Sequence, residues 1–393
     1  MRKRLAAAHY RTGAGITLHV EGGRIARIEA GDADVEGRPG ALYAAPGLVD
    51  LQINGICGHD FNAATVTSLD VLAAVRALWR EGVTSFCPTV ITNDDSSITA
   101  AVRAIAAACR ADRLVAASVA GIHLEGPFIS PVAGPRGAHD AAYIRGPDWD
   151  AFLSWQEAAE GRIRIVTLSP EWPEAVPFIR SCVRHGIIAS IGHTAASPEQ
   201  IRAAVAAGAS MSTHLGNGAH LALPRHPNYI WEQLAHDELW AGFIADGFHL
   251  PDSVMKVMLR AKGEKALLVS DAVYLCGMPP GEYEAHIGGR VVLSPDGRLH
   301  MKHEPNLLAG SAQLLPGGIA RLAQAGLCSF AEAWEMASMR PAAAAGMDAR
   351  SGLAAGAPAD IVLLEWSEAG RIRIVETMKR GITVYRCEPR PTV

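Results

Sequence analysis

The sequence predicts an α/β protein: a closed (β/α)8 barrel of the TIM type, joined to a small β-sandwich domain formed by the N- and C-terminal segments. Three observations predict it. From residue 48 onward short apolar, β-branched runs alternate with longer stretches of helical periodicity; the runs number eight; and both ends of the chain alternate with period two instead.

The expected strands are 48–53, 83–90, 119–125, 164–168, 187–193, 209–215, 240–246 and 265–271. Between them 69–80, 96–110, 173–185, 197–207 and 252–262 repeat Ala, Leu, Ile and Val at three- and four-residue spacing, as amphipathic helices do. Strand and helix in regular succession imply parallel strands with right-handed crossovers, and eight such units close into a barrel. In the flanks, 16–28 reads as two strands around a Gly-Gly turn, and 361–366, 371–378 and 382–386 as further strands. Neither flank can bury a core alone. The expected division is therefore 1–46 with 352–393 as one small β domain, and 47–351 as the barrel.

Bulk properties exclude several classes. With 393 residues, 49% hydrophobic and 19% charged, the chain is long enough for a sizeable core. Its 36 basic and 40 acidic residues give a net charge of −4, which offers no broad footprint for nucleic acid or an anionic membrane. The apolar stretch after Met1-Arg-Lys-Arg stops at Ala8, so no export segment is expected, and elsewhere the apolar runs fall far below the ~20 residues of a membrane helix. Seven cysteines without Cys-x-x-Cys spacing suggest reduced thiols, hence a cytoplasmic, soluble protein.

Chemistry concentrates at the strand ends. Gly121-Ile-His-Leu-Glu-Gly-Pro-Phe128 sets a histidine and a carboxylate on an apolar strand; His193 and His214 follow in similar settings. A catalytic zinc site takes three protein ligands and leaves one position open, an inventory that Glu125, His193 and His214 fit. Any one of them alone would more often be a buried side chain with a satisfied hydrogen bond. Together with Asp50, Gln52, Asp246, His249 and Asp271, all at the C-terminal ends where barrels carry their active sites, they point to one ion. His123 lies two residues before Glu125 and is expected to support the ligands rather than join them. No phosphate loop of the G-x-x-x-x-G-K-S/T or G-x-G-x-x-G kind competes.

Pro46-Gly-Leu-Val-Asp-Leu-Gln-Ile-Asn-Gly55, Gly82-Val-Thr-Ser-Phe-Cys-Pro-Thr89, the Glu125 run, Gly137-Ala-His139, Thr167-Leu-Ser-Pro-Glu171, Gly192-His-Thr194, Thr213-His-Leu215, Ala245-Asp-Gly-Phe-His249, Ser270-Asp-Ala272 and Leu308-Ala-Gly-Ser311 occur in that order. In this series the chain resembles the amidohydrolases, and among them the N-acetylglucosamine-6-phosphate deacetylases, over nearly its whole length. The resemblance implies Glu125, His193 and His214 as metal ligands, in agreement with the spacing. It implies Asp271 as the acid/base that takes a proton from water and returns it to the departing amine, and His249 as a group that holds substrate or polarises its carbonyl. Asp246 would orient neighbours or the sugar.

Many amidohydrolases carry His-x-His at the end of the first strand; here the pair is Asp50-Leu-Gln52, and a neutral amide is a poor zinc ligand, so one divalent ion is expected. Zn2+ is the first choice, with Fe2+, Co2+ and Mn2+ as alternatives. Cys57 is read as a small buried thiol.

For the substrate, the resemblance implies contacts from Ala138, His139, Asn217, Gly218, Arg225, Asp246, His249, Leu308, Ala309 and Gly310. The phosphate loop departs from the family pattern: Gly218 stands for Ala, and the following Met is lost. Asn217 and Arg225 persist, and a guanidinium suits a phosphate. In the family the matching arginine reaches the neighbouring subunit, so a homodimer is implied. The expected reaction is deacetylation of an N-acetyl amino sugar phosphate. Other N-acyl substrates stand as the alternative, and a catalytically silent barrel as a more distant one.

Overall fold

The structure is a computed structural model and describes residues 2–31, 41–285, 289–347, 352–366 and 372–388. Its centre is a sheet of eight parallel strands: Leu48–Ile53, Val83–Ile91, Ile122–Glu125, Ile163–Leu168, Ile188–Ile191, Met211–Ser212, Trp240–Phe243 and Ala266–Leu268, numbered here as barrel strands one to eight. Each pairs with the next, and the parallel bridge Ile53–Ala272 with Asp271 N–H donating to Gln52 O (2.9 Å) closes the ring. Nearly every residue in these strands is buried, as expected where helices cover a parallel sheet.

The five expected helices form at Ser68–Arg80, Asp95–Ala111, Ala175–Arg184, Pro198–Ala206 and Asp252–Lys262. Their starts are fixed locally. Thr67 and Asp70 form a capping box, as do Ser197 and Gln200, where Pro198 also opens the first turn. Val71, Ala74, Val75 and Leu78 then turn one stripe into the core.

The terminal segments supply one seven-stranded sheet. Its order places Ile382–Arg386, Ile372–Lys379 and Ile361–Trp366 beside Leu42–Pro46, Arg2–His9, Gly15–Glu21 and Arg24–Ala30. The sheet folds over on itself: Lys3 Nζ of the Arg2–His9 strand donates to Thr383 Oγ1 (2.7 Å) four strands away, enclosing Leu18, Val20, Ile25, Ile361 and Met378. The sandwich is thus one curled sheet. The pairing strands Arg2–His9 and Leu42–Pro46 extend the expected set.

Two features depart from the expected elements. The barrel strands stop two or three residues short of the expected ends at 193, 215, 246 and 271, so the functional groups follow the strands instead of ending them. An antiparallel three-stranded sheet, Gly281–Ala285, Gly289–Leu293 and Leu299–Met301, is inserted after barrel strand eight and packs Val291, Leu293, Leu299 and Met301 on Leu275.

Candidate metal centre and active site

Glu125 ends barrel strand three, while His193 and His214 each stand two residues beyond strands five and six. Both histidines take positive φ, +47° and +25°, and so does Asp271, at +47°. Non-glycine residues rarely hold that conformation, and three of them at one barrel mouth mark a site where local strain is fixed by its surroundings.

The turns aim three ligand atoms at one point. His214 Nε2 lies 3.0 Å from Glu125 Oε1 and 3.0 Å from His193 Nε2, and His193 Nε2 lies 3.3 Å from Glu125 Oε1. Among the described residues this is the one cluster of at least three such groups close enough to share an ion. Two ligands each about 2.0–2.1 Å from a tetrahedral ion stand about 3.3 Å apart, so the spacing fits zinc-like coordination. The donor set fits too. His193 Nδ1–H donates to Pro135 O (2.8 Å), which leaves its Nε2 lone pair facing that of His214. A single proton cannot satisfy both nitrogens and the carboxylate; a dication can. Gln52 Nε2 donates to Glu125 Oε1 (2.8 Å), so the amide on strand one braces a member of the cluster.

Beneath the ligands lies a closed polar network. His123 bonds through Nδ1 to Leu51 O (3.0 Å) and through Nε2 to Thr167 Oγ1 (2.7 Å), which continues to Thr213 and Ser190. Both ring nitrogens are occupied. Cys57, expected to be buried, is instead exposed in the loop after strand one.

Asp271 faces the cluster from beyond strand eight. Asn54 Nδ2 donates to its Oδ1 (2.8 Å). Burial, and then the nearby Glu125 charge, push the Asp271 carboxyl up to about 6. His249 is held by Asp246: Nδ1 lies 2.7 Å from Asp246 Oδ2, and Asp246 Oδ1 accepts from the amides of Phe248 and His249. The Asp246 carboxylate is therefore engaged in orienting His249. The expectation that Asp246 orients a neighbour thus finds its partner in His249, whereas Asn54 was not singled out in the sequence although it lies inside the strand-one motif.

The expected substrate contacts fall into three groups. His139 packs edge-on against His193 with ring centroids 4.5 Å apart and bonds Thr92 Oγ1 (2.9 Å); burial drives its pKa down to about 3, so it stays neutral. Asn217 Nδ2 donates to His214 O (3.2 Å), and Gly218 touches the His193 ring so closely that a Cβ there would lie 2.6 Å from Nδ1. Leu308, Ala309 and Gly310 are tied beside Asp271 through Val273 N–H to Ser311 O (2.9 Å) and the Ala272–Ser311 bridge. Ala138 is exposed on the loop that carries His139. Arg225 is also exposed, on a loop with Leu221, outside the buried cluster. A groove of about 720 Å³ elsewhere, lined by Arg103, Arg110, Glu157 and Glu160, lies on helices outside the barrel mouth.

Residues 43–384 match the model of the amidohydrolase family. The chain is 34% identical over 352 residues to an N-acetylglucosamine-6-phosphate deacetylase of Bacillus subtilis, covering 87% of this chain and 85% of that one. It is 32% identical over 354 residues to an N-acetylgalactosamine-6-phosphate deacetylase of Escherichia coli O157:H7, covering 88% and 90%. Among solved structures, a mutant N-acetyl-D-glucosamine-6-phosphate deacetylase from Mycobacterium smegmatis in complex with N-acetyl-D-glucosamine-6-phosphate superposes with a TM-score of 0.83. That match is at 28% identity over 97% of this chain and 99% of that one. No helix among the described residues is long and apolar enough to cross a membrane.

Proposed function

The chain belongs to the amidohydrolase family and, within it, to the N-acetylglucosamine-6-phosphate deacetylases; from that premise we propose that it hydrolyses the acetamide of N-acetylglucosamine 6-phosphate, releasing acetate and glucosamine 6-phosphate. The observation that carries this reading is the convergence of Glu125, His193 and His214, with their ligand atoms 3.0–3.3 Å apart, at a barrel mouth that also holds Asp271.

Those three residues would hold one divalent ion, Zn2+ first and Fe2+, Co2+ or Mn2+ otherwise, which when bound lowers the pKa of water and polarises a carbonyl. Asp271, fixed by Asn54, takes the proton of the attacking water and returns it to the departing amine. His249, anchored through Nδ1–H by Asp246, presents Nε2 to the substrate, as an acceptor in the neutral imidazole and as a donor to the acetyl oxygen only in the imidazolium. His139, Asn217 and the Gly218 amide line the same mouth and would contact the sugar, with Ala138 and Leu308–Gly310 at its rim. Arg225, exposed on its loop, would reach the phosphate in the partner of a homodimer, and the cytoplasm is the location its seven free thiols favour.

The test is acetate release from N-acetylglucosamine 6-phosphate by protein whose metal content has been measured. Turnover with one equivalent of metal is expected; metal-replete protein that releases no acetate would sink the reading. The N-acetylgalactosamine-6-phosphate deacetylase relative favours a second reading in which the 4-epimer is the substrate, and the ratio of kcat/KM for the two sugar phosphates decides between them.

A further inference from the structure

Glu171 closes the Thr167-Leu-Ser-Pro-Glu171 segment yet does not belong to the ligand cluster. Its carboxylate instead gathers the loops that follow three neighbouring barrel strands. Oε1 accepts from Ser130 Oγ (3.0 Å) after strand three. Oε2 accepts from Ser169 Oγ (2.7 Å) after strand four, and from Ala195 N–H (2.9 Å) after strand five. Each of these loops grips His193 or its neighbour: Ser130 N–H donates to His193 O (2.8 Å), and Ser169 Oγ lies 2.7 Å from Thr194 Oγ1.

The donors run one way. Ser169 gives its single proton to Glu171 Oε2, so in its contact with Thr194 Oγ1 the threonine donates, while Thr194 Oγ1 also accepts from Ala196 N–H (3.0 Å). On the other arm Val132 N–H donates to Ser130 Oγ (3.2 Å), and that hydroxyl donates to Glu171 Oε1. Two hydroxyls and one amide thus end on a single acceptor-only group, the arrangement a carboxylate satisfies and an apolar side chain cannot. Between these anchors sits His193 in its left-handed conformation, φ +47°, which persists only where its surroundings over-determine it.

We infer that Glu171 is a positioning residue for His193: it fixes the turn that aims Nε2 at the ion, so metal affinity depends on a carboxylate outside the ligand cluster. The inference rests on the metal-site reading above. Outer partners of metal ligands change affinity by about 10–100-fold when removed.

Zn2+ affinity of stripped protein, measured by competition with a chromophoric chelator, tests this without any assay of turnover. Glu171→Ala is expected to weaken binding about tenfold. Glu171→Gln should stay within about threefold, since its oxygen can face Ala195 N–H and Ser169 while its NH2 uses the second lone pair of Ser130. Glu376→Ala is the control: Glu376 accepts from Arg386 Nη2 (2.8 Å) and Thr383 Oγ1 (2.6 Å) in the terminal sheet, so its loss should lower stability and leave Zn2+ affinity unchanged. Native affinity in Glu171→Ala, or an equal loss in Glu376→Ala, would overturn the inference. Should Glu171→Ala fail to fold, Ser130→Ala removes one arm only; about threefold weaker binding supports the assignment and unchanged binding overturns it. Wild-type protein that shows this Glu171 dependence but releases no acetate refutes the deacetylase and spares the inference, whereas active protein with an indifferent Glu171 does the reverse.

Discussion

Buried charge is handled in opposite ways at the barrel mouth and in the terminal sheet. Lys379, 2% exposed, donates to Asp360 Oδ2 (2.7 Å) and Ser85 Oγ (3.0 Å), so the protein itself supplies its counter-charge and acceptors. At the mouth Glu125, His193 and His214 are also buried, but they turn acceptor atoms toward one another. Burial of charge is thus no signal of function by itself. What separates the two regions is whether the protein closes the account of donors and acceptors or leaves a surplus of one kind facing a common point.

The sharpest way to break that contrast is Asp271→Asn, which removes the proposed proton carrier but none of the three proposed metal ligands. Deacetylation should fall by about 10²–10⁴-fold, while bound metal and thermal midpoint stay at wild-type values. Full turnover would remove Asp271 from the reaction; loss of the metal would make it a ligand instead.

Lys379→Ala is the mirror experiment in the terminal sheet. Losing the charge-assisted hydrogen bonds of this buried ammonium costs about 1.5–3 kcal/mol, while Asp360, partly exposed, keeps the Arg380 N–H (2.7 Å). Urea denaturation should show that loss, while turnover per bound metal in native buffer stays unchanged. A comparable fall in turnover would mean the two regions are not separable.

Asp50 sharpens the comparison from beneath the mouth, where a carboxyl is buried with neither a cation nor a full set of donors. Oδ1 accepts from the amides of Gln52 (3.3 Å) and Ser270 (3.2 Å), but Oδ2 has no partner. Burial pushes its pKa up to about 7 from 3.8. The folded state therefore keeps this proton where the unfolded chain has released it, so its stability contribution is present below pH 4 and is lost as pH rises to about 7. The stability difference between wild type and Asp50→Asn should change by about 2–3 kcal/mol between pH 5 and pH 8. A difference independent of pH would show that Asp50 is ionised throughout.

Much of this was legible in the sequence because the barrel repeats one signal eight times, and because Glu125, His193, His214 and Asp271 each interrupt an apolar run. What stayed hidden depends on pairing across the ring. Asn54 and Asp271 are 217 residues apart, and nothing in either local pattern announces their hydrogen bond. Asp246 was expected to orient neighbours or the sugar, and the structure shows that the neighbour is His249. The expected strands ran past their true ends because they were extended to the functional residues, and at strand seven because apolar residues continue through 243–245, whereas positive φ at His193 and His214 ends the ladder. The Gly281–Met301 sheet was missed because strands of three to five residues carry too few alternations to read.

The smallest predicted effect compares two glycines that would each pay the left-handed cost of about 1–2 kcal/mol as alanine. Gly381, at φ +75°, sits where the terminal sheet folds over, and a Cβ would lie 3.0 Å from Val20 Cγ1. Gly218, at φ +55°, meets the His193 ring at 2.6 Å from Nδ1, the nitrogen already bonded to Pro135 O. Both alanine variants should melt a few degrees lower, by about 2–4 °C per kcal/mol. Only Gly218→Ala should also displace the imidazole and weaken metal binding about tenfold, because it disturbs the hydrogen bond that fixes a ligand's tautomer. Equal metal affinity in the two variants would show that His193 tolerates a shifted ring, and that the contrast between mouth and terminal sheet lies in charge alone, not in backbone geometry.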